Sequence, residues 1–147
     1  MRISRRALSM AAVSVLASAA VLAAPAGAGA AASEVDVAPV AVIGPDATVT
    51  LSGTYRCLPP SPSGAVQIGV TLYQDGTRLG LAGGDAVCDG EEHAWHASGS
   101  LRHTPDLHPG TAEAEARLSS VRPGRGLIPN VTPLSAHRQD VEILAAP

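Results

Sequence analysis

Val66-Gln-Ile-Gly-Val-Thr-Leu-Tyr-Gln-Asp-Gly-Thr-Arg-Leu-Gly-Leu81 decides how the chain folds. Val66, Ile68, Val70 and Leu72 recur at every second position, the period of a strand with one face buried. Asp75-Gly76 then interrupts two alternating runs. Both central residues of a tight hairpin turn need positive φ, which Asp and Gly supply at least cost, so the pair predicts a two-residue hairpin.

The same logic extends in both directions. Upstream, Thr48-Val-Thr-Leu-Ser-Gly-Thr-Tyr-Arg-Cys57 places Val49, Leu51, Gly53, Tyr55 and Cys57 on one face. Thr48, Thr50, Ser52, Thr54 and Arg56 lie on the other, so this is a half-buried strand with a wet side. Before it, Val35 to Ile43 is a β-branched run broken at Pro39, which suits an edge strand or a strand with a break. Gly44-Pro45-Asp46-Ala47 is a turn. Downstream, Ala86-Val87-Cys88 is a short strand, Asp89-Gly90 repeats the turn signal, and His93 to Ser98 returns with Trp95 at its centre. In Leu107 to Leu118, Ala112, Ala114, Ala116 and Leu118 share one side, with Glu113, Glu115 and Arg117 opposite. Ala and Glu are good helix formers, but the strict period of two after a Pro109-Gly110 turn predicts strand. A Pro/Gly-rich loop spans Arg122 to Pro133, and Ser135 to Leu144 closes the chain with Val141 and Ile143 inward. Seven or eight short strands with turn signals roughly every 8–12 residues predict an all-β fold, an antiparallel two-sheet sandwich of immunoglobulin-like arrangement. It departs from antibody domains in two ways: the cysteines are closer in sequence, and Trp95 follows both instead of lying between them.

The N-terminus has a different character. Arg2, Arg5 and Arg6 precede an unbroken small-apolar run from Ala7 to Ala24, followed by Ala26-Gly27-Ala28 and similar small-residue exits. A basic start, an apolar middle and an Ala-x-Ala exit predict a cleaved secretory signal over residues 1–32, leaving a single domain over residues 33–147. No cysteine precedes Cys57, so no lipid anchor is expected on a new N-terminal cysteine. The expected product is secreted and extracellular, with no membrane association after cleavage. It retains seven of the ten arginines against thirteen acidic residues, a net charge of −6 with the histidines neutral. A field of that sign disfavours nucleic acid and anionic membranes. The chain has no lysine, which removes Schiff-base and Ser-Lys chemistry. It has no Phe and only Trp95, Tyr55 and Tyr73 as aromatics, so Val, Ile, Leu and Ala must build the core.

Cys57 and Cys88 are the only cysteines. In an oxidising compartment an even pair with no metal-ligand spacing reads as a disulfide. Closing a loop of that length is worth about 3.7 kcal/mol on chain entropy, a large part of the ~5–15 kcal/mol typical of a domain.

The blocks Thr48-Val-Thr-Leu-Ser-Gly-Thr-Tyr-Arg-Cys57, Ala86-Val-Cys-Asp-Gly90, Trp95, Pro109-Gly110 and Arg138-Gln-Asp-Val141 resemble a family of small secreted actinobacterial proteins classed as a domain of unknown function. The likeness spans nearly all of the chain after the signal, with the cysteine blocks its most specific part. It implies export, one disulfide and an all-β domain. It implies no activity, and no functional residue is carried over.

The chemistry-bearing residues are sparse in pattern. His93 and His96 are three apart, which converges on a helix but diverges on a strand. Asp85, Asp89, Glu91 and Glu92 gather around a turn without the spacing of a calcium loop. No nucleophile elbow, zinc-protease or phosphate-loop motif occurs. No catalytic residue, metal or cofactor is expected. The remaining candidate is the Arg122–Pro133 loop, with Arg122, Arg125, Leu127 and Ile128. Leu127 and Ile128 either fold back over the core edge, the commoner use of apolar loop residues, or present a contact surface. The sequence therefore points to a non-catalytic module that binds a protein or envelope component. The alternative is a proteinase inhibitor offering Arg122 or Arg125 to a trypsin-like pocket.

Overall fold

The computed structural model describes residues 32–60 and 64–147. The expected export signal lies outside them except for Ala32, as do residues 61–63 of the proline-rich connector. Eight strands form: β1 (Glu34–Val37), β2 (Val40–Ile43), β3 (Thr48–Arg56), β4 (Ala65–Gln74), β5 (Thr77–Ala86), β6 (Glu92–Ser100), β7 (Gly110–Arg122) and β8 (Asn130–Ala145). The helical content of the described residues is one 3-10 turn, Leu101–His103. None is long and apolar enough to cross a membrane.

The Asp75-Gly76 hairpin closes with Gln74 opposite Thr77, and both turn residues take positive φ, 50° and 82°. The broken first strand also forms as expected. β1 and β2 are its two halves, parted at Ala38-Pro39, and both lie antiparallel to the same side of β3. Beyond the break, β2 also pairs in parallel with the end of β8, Ala41 opposite Ile143. Sequence inspection offers no local signal for that pairing, because it joins the two ends of the fold.

The expected two-sheet antiparallel sandwich is met only at the level of an all-β fold. The strands follow the order β1-β3-β2-β8-β7-β4-β5-β6, and β6 pairs back onto β3. Seven strands thus close into a barrel, with one parallel pair. Closure is uneven. β3 and β6 share nine residue pairs from Thr48↔Ser100 to Arg56↔Glu92, whereas β5 and β6 meet at one, Ala82↔Ser98. A bulge opposite Ile68, at Gly83-Gly84, interrupts the β4–β5 ladder next to Ala82, the residue of β5 that pairs with β6.

The inward faces are those the alternation predicts. Val49, Leu51 and Tyr55 of β3, Val66, Ile68, Val70 and Leu72 of β4, Ala112, Ala114, Ala116 and Leu118 of β7, and Val141 and Ile143 of β8 are all buried. Trp95 fills the space over Gly53, where an added Cβ would come within 2.6 Å of the indole ring. Its Nε1 donates to the Asp36 carbonyl at 3.0 Å, so the one tryptophan satisfies its polar atom while covering the β1–β3 seam. The ends of the barrel are pinned by single side chains. Buried Gln74 donates to the carbonyls of His108 and Thr111 and accepts from the His108 N–H at 2.9 Å, fixing the segment before β7.

Candidate binding surface

At the barrel end where β3, β5 and β7 finish, the Cys57–Cys88 disulfide forms, with Cα atoms 4.7 Å apart. Cys57 is fully buried. Ala86 ends β5, so Val87 and Cys88 belong to the following connection and not to a strand of their own. The Tyr55 hydroxyl accepts the Val87 N–H at 2.8 Å, and the Gly90 N–H donates to the Cys57 carbonyl at 2.9 Å. Asp89 closes the turn by accepting the Glu91 N–H and meeting His93 Nε2, each at 2.9 Å. The His93 contact first, and then the Glu91 N–H, hold its carboxyl below the usual range.

The candidate loop lies at this same end, and it is shorter than expected. β7 runs through Arg122 and β8 begins at Asn130, with Arg122 opposite Asn130. The connector is therefore only Pro123 to Pro129, and the outer part of the predicted loop, Arg122 and Asn130–Pro133, is strand. Leu127 is wholly exposed and Ile128 is 77 % exposed. They do not fold back over the core edge. Gly124 shapes the tip, since a side chain there would collide with the Ile128 carbonyl. Arg125 is exposed and Arg122 is partly covered. Val131, 58 % exposed, continues the apolar surface onto β8, and the exposed Leu58 and Val87 flank the disulfide at the same end of the barrel.

A second feature lies on the outer face of β8, β7, β4 and β5, the side that alternation marks as wet. Cross-strand pairing sets Arg138, Glu115, Thr71 and Gly80 in one row, and Asp140, Glu113, Tyr73 and Arg78 in the next. Glu115 is unexpectedly buried, its side chain only 5 % exposed. Arg117 Nε donates to one of its carboxylate oxygens and Arg138 Nε to the other, while Arg138 Nη1 reaches Glu113 at 2.8 Å. The Arg138 guanidinium also lies 5.5 Å from the centre of the Tyr73 ring. The Arg117 bond first, with Arg138 adding to it, holds the Glu115 carboxyl below its ordinary range against the opposing effect of burial. Beside this clamp an open groove of about 410 Å³ runs over Gly69 and Gly80, bounded by Tyr73, Arg78, Glu115 and Arg117. No local sequence pattern marks it. Its signals, two outward glycines and arginines on neighbouring strands, gain meaning only once the strand order is known.

A family model matches residues 31–146. The chain belongs to the family of unknown function DUF6299. No curated protein and no solved structure matches it.

The remaining polar residues of this DUF6299 chain are dispersed. His93 leans inward against Tyr55, ring centres 5.5 Å apart, whereas His96 faces out from the same strand. Their spacing therefore diverges, as strand geometry requires. His108 contacts Asp75 at 3.2 Å across the opposite barrel end. Among the described residues no three His, Cys, Asp or Glu side chains gather as a metal site.

Proposed function

We propose that this chain is an exported, non-catalytic binding module whose contact surface is the β7–β8 hairpin tip. The observation that carries the reading is the exposure of Leu127 and Ile128. Each would gain about 2 kcal/mol on burial, and neither contributes to the core. Arg125 beside them supplies a charged anchor of the type enriched at protein interfaces. A disulfide suits an oxidising compartment, and the basic-apolar-small pattern of residues 1–32 suits export. The finer reading of the fold as immunoglobulin-like draws support from the split first strand, whose second half reaches β8 as well as β3, and from the single pair joining β5 to β6.

The test compares immobilised wild-type protein with an Arg125→Ala/Leu127→Asp/Ile128→Asp variant for capture from culture supernatant and envelope fractions. A partner retained by the wild type and lost by the folded variant supports the surface. Equal recovery removes the hairpin from consideration.

The exposure of Arg125 at the tip also fits a proteinase inhibitor. However, glycines flank it and the disulfide lies outside the hairpin, so little stiffens the bond after Arg125. Titration against trypsin separates the two readings: stoichiometric inhibition supports the inhibitor, and rapid cleavage after Arg125 excludes it.

A further inference from the structure

We propose that the groove over β7, β4 and β5 binds a small carboxylate-bearing ligand, gripped between Arg117 and Arg78, independently of whatever the hairpin contacts. The argument begins with the groove floor. Gly69 and Gly80 both face outward on adjacent strands, and a Cβ at either would meet nothing within 4 Å. The space above them is open, about 410 Å³, enough for one or two sugar rings or a dipeptide.

The walls carry the chemistry. Arg117 is half exposed, yet its Nε is engaged by buried Glu115. That contact uses the side of the guanidinium and leaves the paired terminal nitrogens, which have no hydrogen-bond or ion-pair partner among the described residues. A guanidinium anchored in this way presents its end-on fork in a fixed direction, the geometry that receives a carboxylate through two parallel bonds. Glu115 thus acts as a positioning residue. Arg78 stands at the other wall and makes no ion pair among the described residues. The charged lining of the groove is two arginines (78 and 117) against Glu115, while Arg138 beside it is offset by Glu113 and Asp140. This cationic spot belongs to a chain in which acidic residues outnumber basic ones. A surface with carboxylates in excess leaves these two guanidinium ends without one. Thr71 and Ser119 add hydroxyls within the groove, able to donate or accept as a sugar or peptide requires.

Amide-resolved NMR titration at low salt tests the proposal with three probes: digalacturonate, the dipeptide Glu-Glu, and neutral cellobiose. The expected result is that at least one acidic probe moves the Gly69, Gly80 and Ser119 amides while cellobiose does not. Digalacturonate alone acting identifies an acidic sugar, and Glu-Glu alone an acidic peptide end. Arg78→Gln and Arg117→Gln should each weaken binding about tenfold, the loss expected for one charge-assisted contact. Arg78→Gln leaves the Glu115 clamp intact, so its effect reads binding and not folding. The proposal fails if neither acidic probe moves these amides, if cellobiose moves them equally, or if Arg78→Gln binds like the wild type.

Discussion

Glu115 shows how a single side chain departs from the pattern around it. Alternation places it on the solvent side of β7, and its neighbours Glu113 and Arg117 do face out, yet Glu115 is covered. Its cover comes from Arg138, twenty-three residues away in β8, which no local pattern reveals. Its carboxyl is held below the value of the unfolded chain, near 4.3. It therefore adds stability at pH above that value, and the contribution is lost as pH falls through the lower folded value. Glu115→Gln should lower stability at neutral pH by about 1–2 kcal/mol, the scale of hydrogen bonds to charged groups, and should flatten the decline between pH 5 and 3 in urea midpoints measured across that range. A midpoint that falls as steeply in the variant would place the acid sensitivity elsewhere. Gly53 is the opposite case. It sits in the buried register of β3 as predicted, but only the structure shows the Trp95 ring lying against it. Gly53→Ala should cost about 1–3 kcal/mol through overpacking, read as a lower urea midpoint with an unchanged slope.

Among the elements, strands announced by strict alternation were legible. β3, β4 and β7 bury the residues their period of two assigns, because each packs one face on the core and the other toward water. The alanine-glutamate alternation of β7 outweighed its helical propensity for the same reason. What the sequence could not reveal was how far β7 and β8 extend. Pro123, Gly124, Pro129 and Pro133 read as loop, yet Pro133 lies within β8 opposite Ser119, beside a bulge. Along this stretch β8 has β7 as its strand partner and β2 joins only at Val40–Ile43, so Pro133 occupies an edge where a missing N–H is tolerated. The hairpin tip should likewise be independent of the core. Leu127→Asp/Ile128→Asp should shift stability by less than about 0.5 kcal/mol, measured by thermal melting. A large loss would show that these residues serve the fold and not a partner.

On the scale of the whole molecule, the all-β class and the disulfide followed from composition, spacing and turn chemistry, whereas ring closure did not. Parallel β2–β8 pairing and the return of β6 to β3 join segments tens of residues apart. Such contacts are set by which faces must be buried together, and one chain read locally does not state that. The bridge is the covalent member of this set. Cys57→Ser/Cys88→Ser should lose about 3–4 kcal/mol, by the entropy of a closed loop of 31 residues, seen as a lower denaturant midpoint. Retention of the wild-type midpoint would mean that the reduced chain is already as restricted as the oxidised one.

The single rung between β5 and β6 gives that bridge a second role. From Ala82↔Ser98 toward the cysteine end no further rung joins the two strands, and Cys88, just past β5, is tied instead to Cys57 at the end of β3. The barrel thus has a built-in slit, and the disulfide is its clasp. Amide exchange should be fastest along β5 beyond Gly83, and reduction should quicken it there before any other part of the molecule loosens, so that water reaches Trp95 through this opening while the β7–β8 side stays closed.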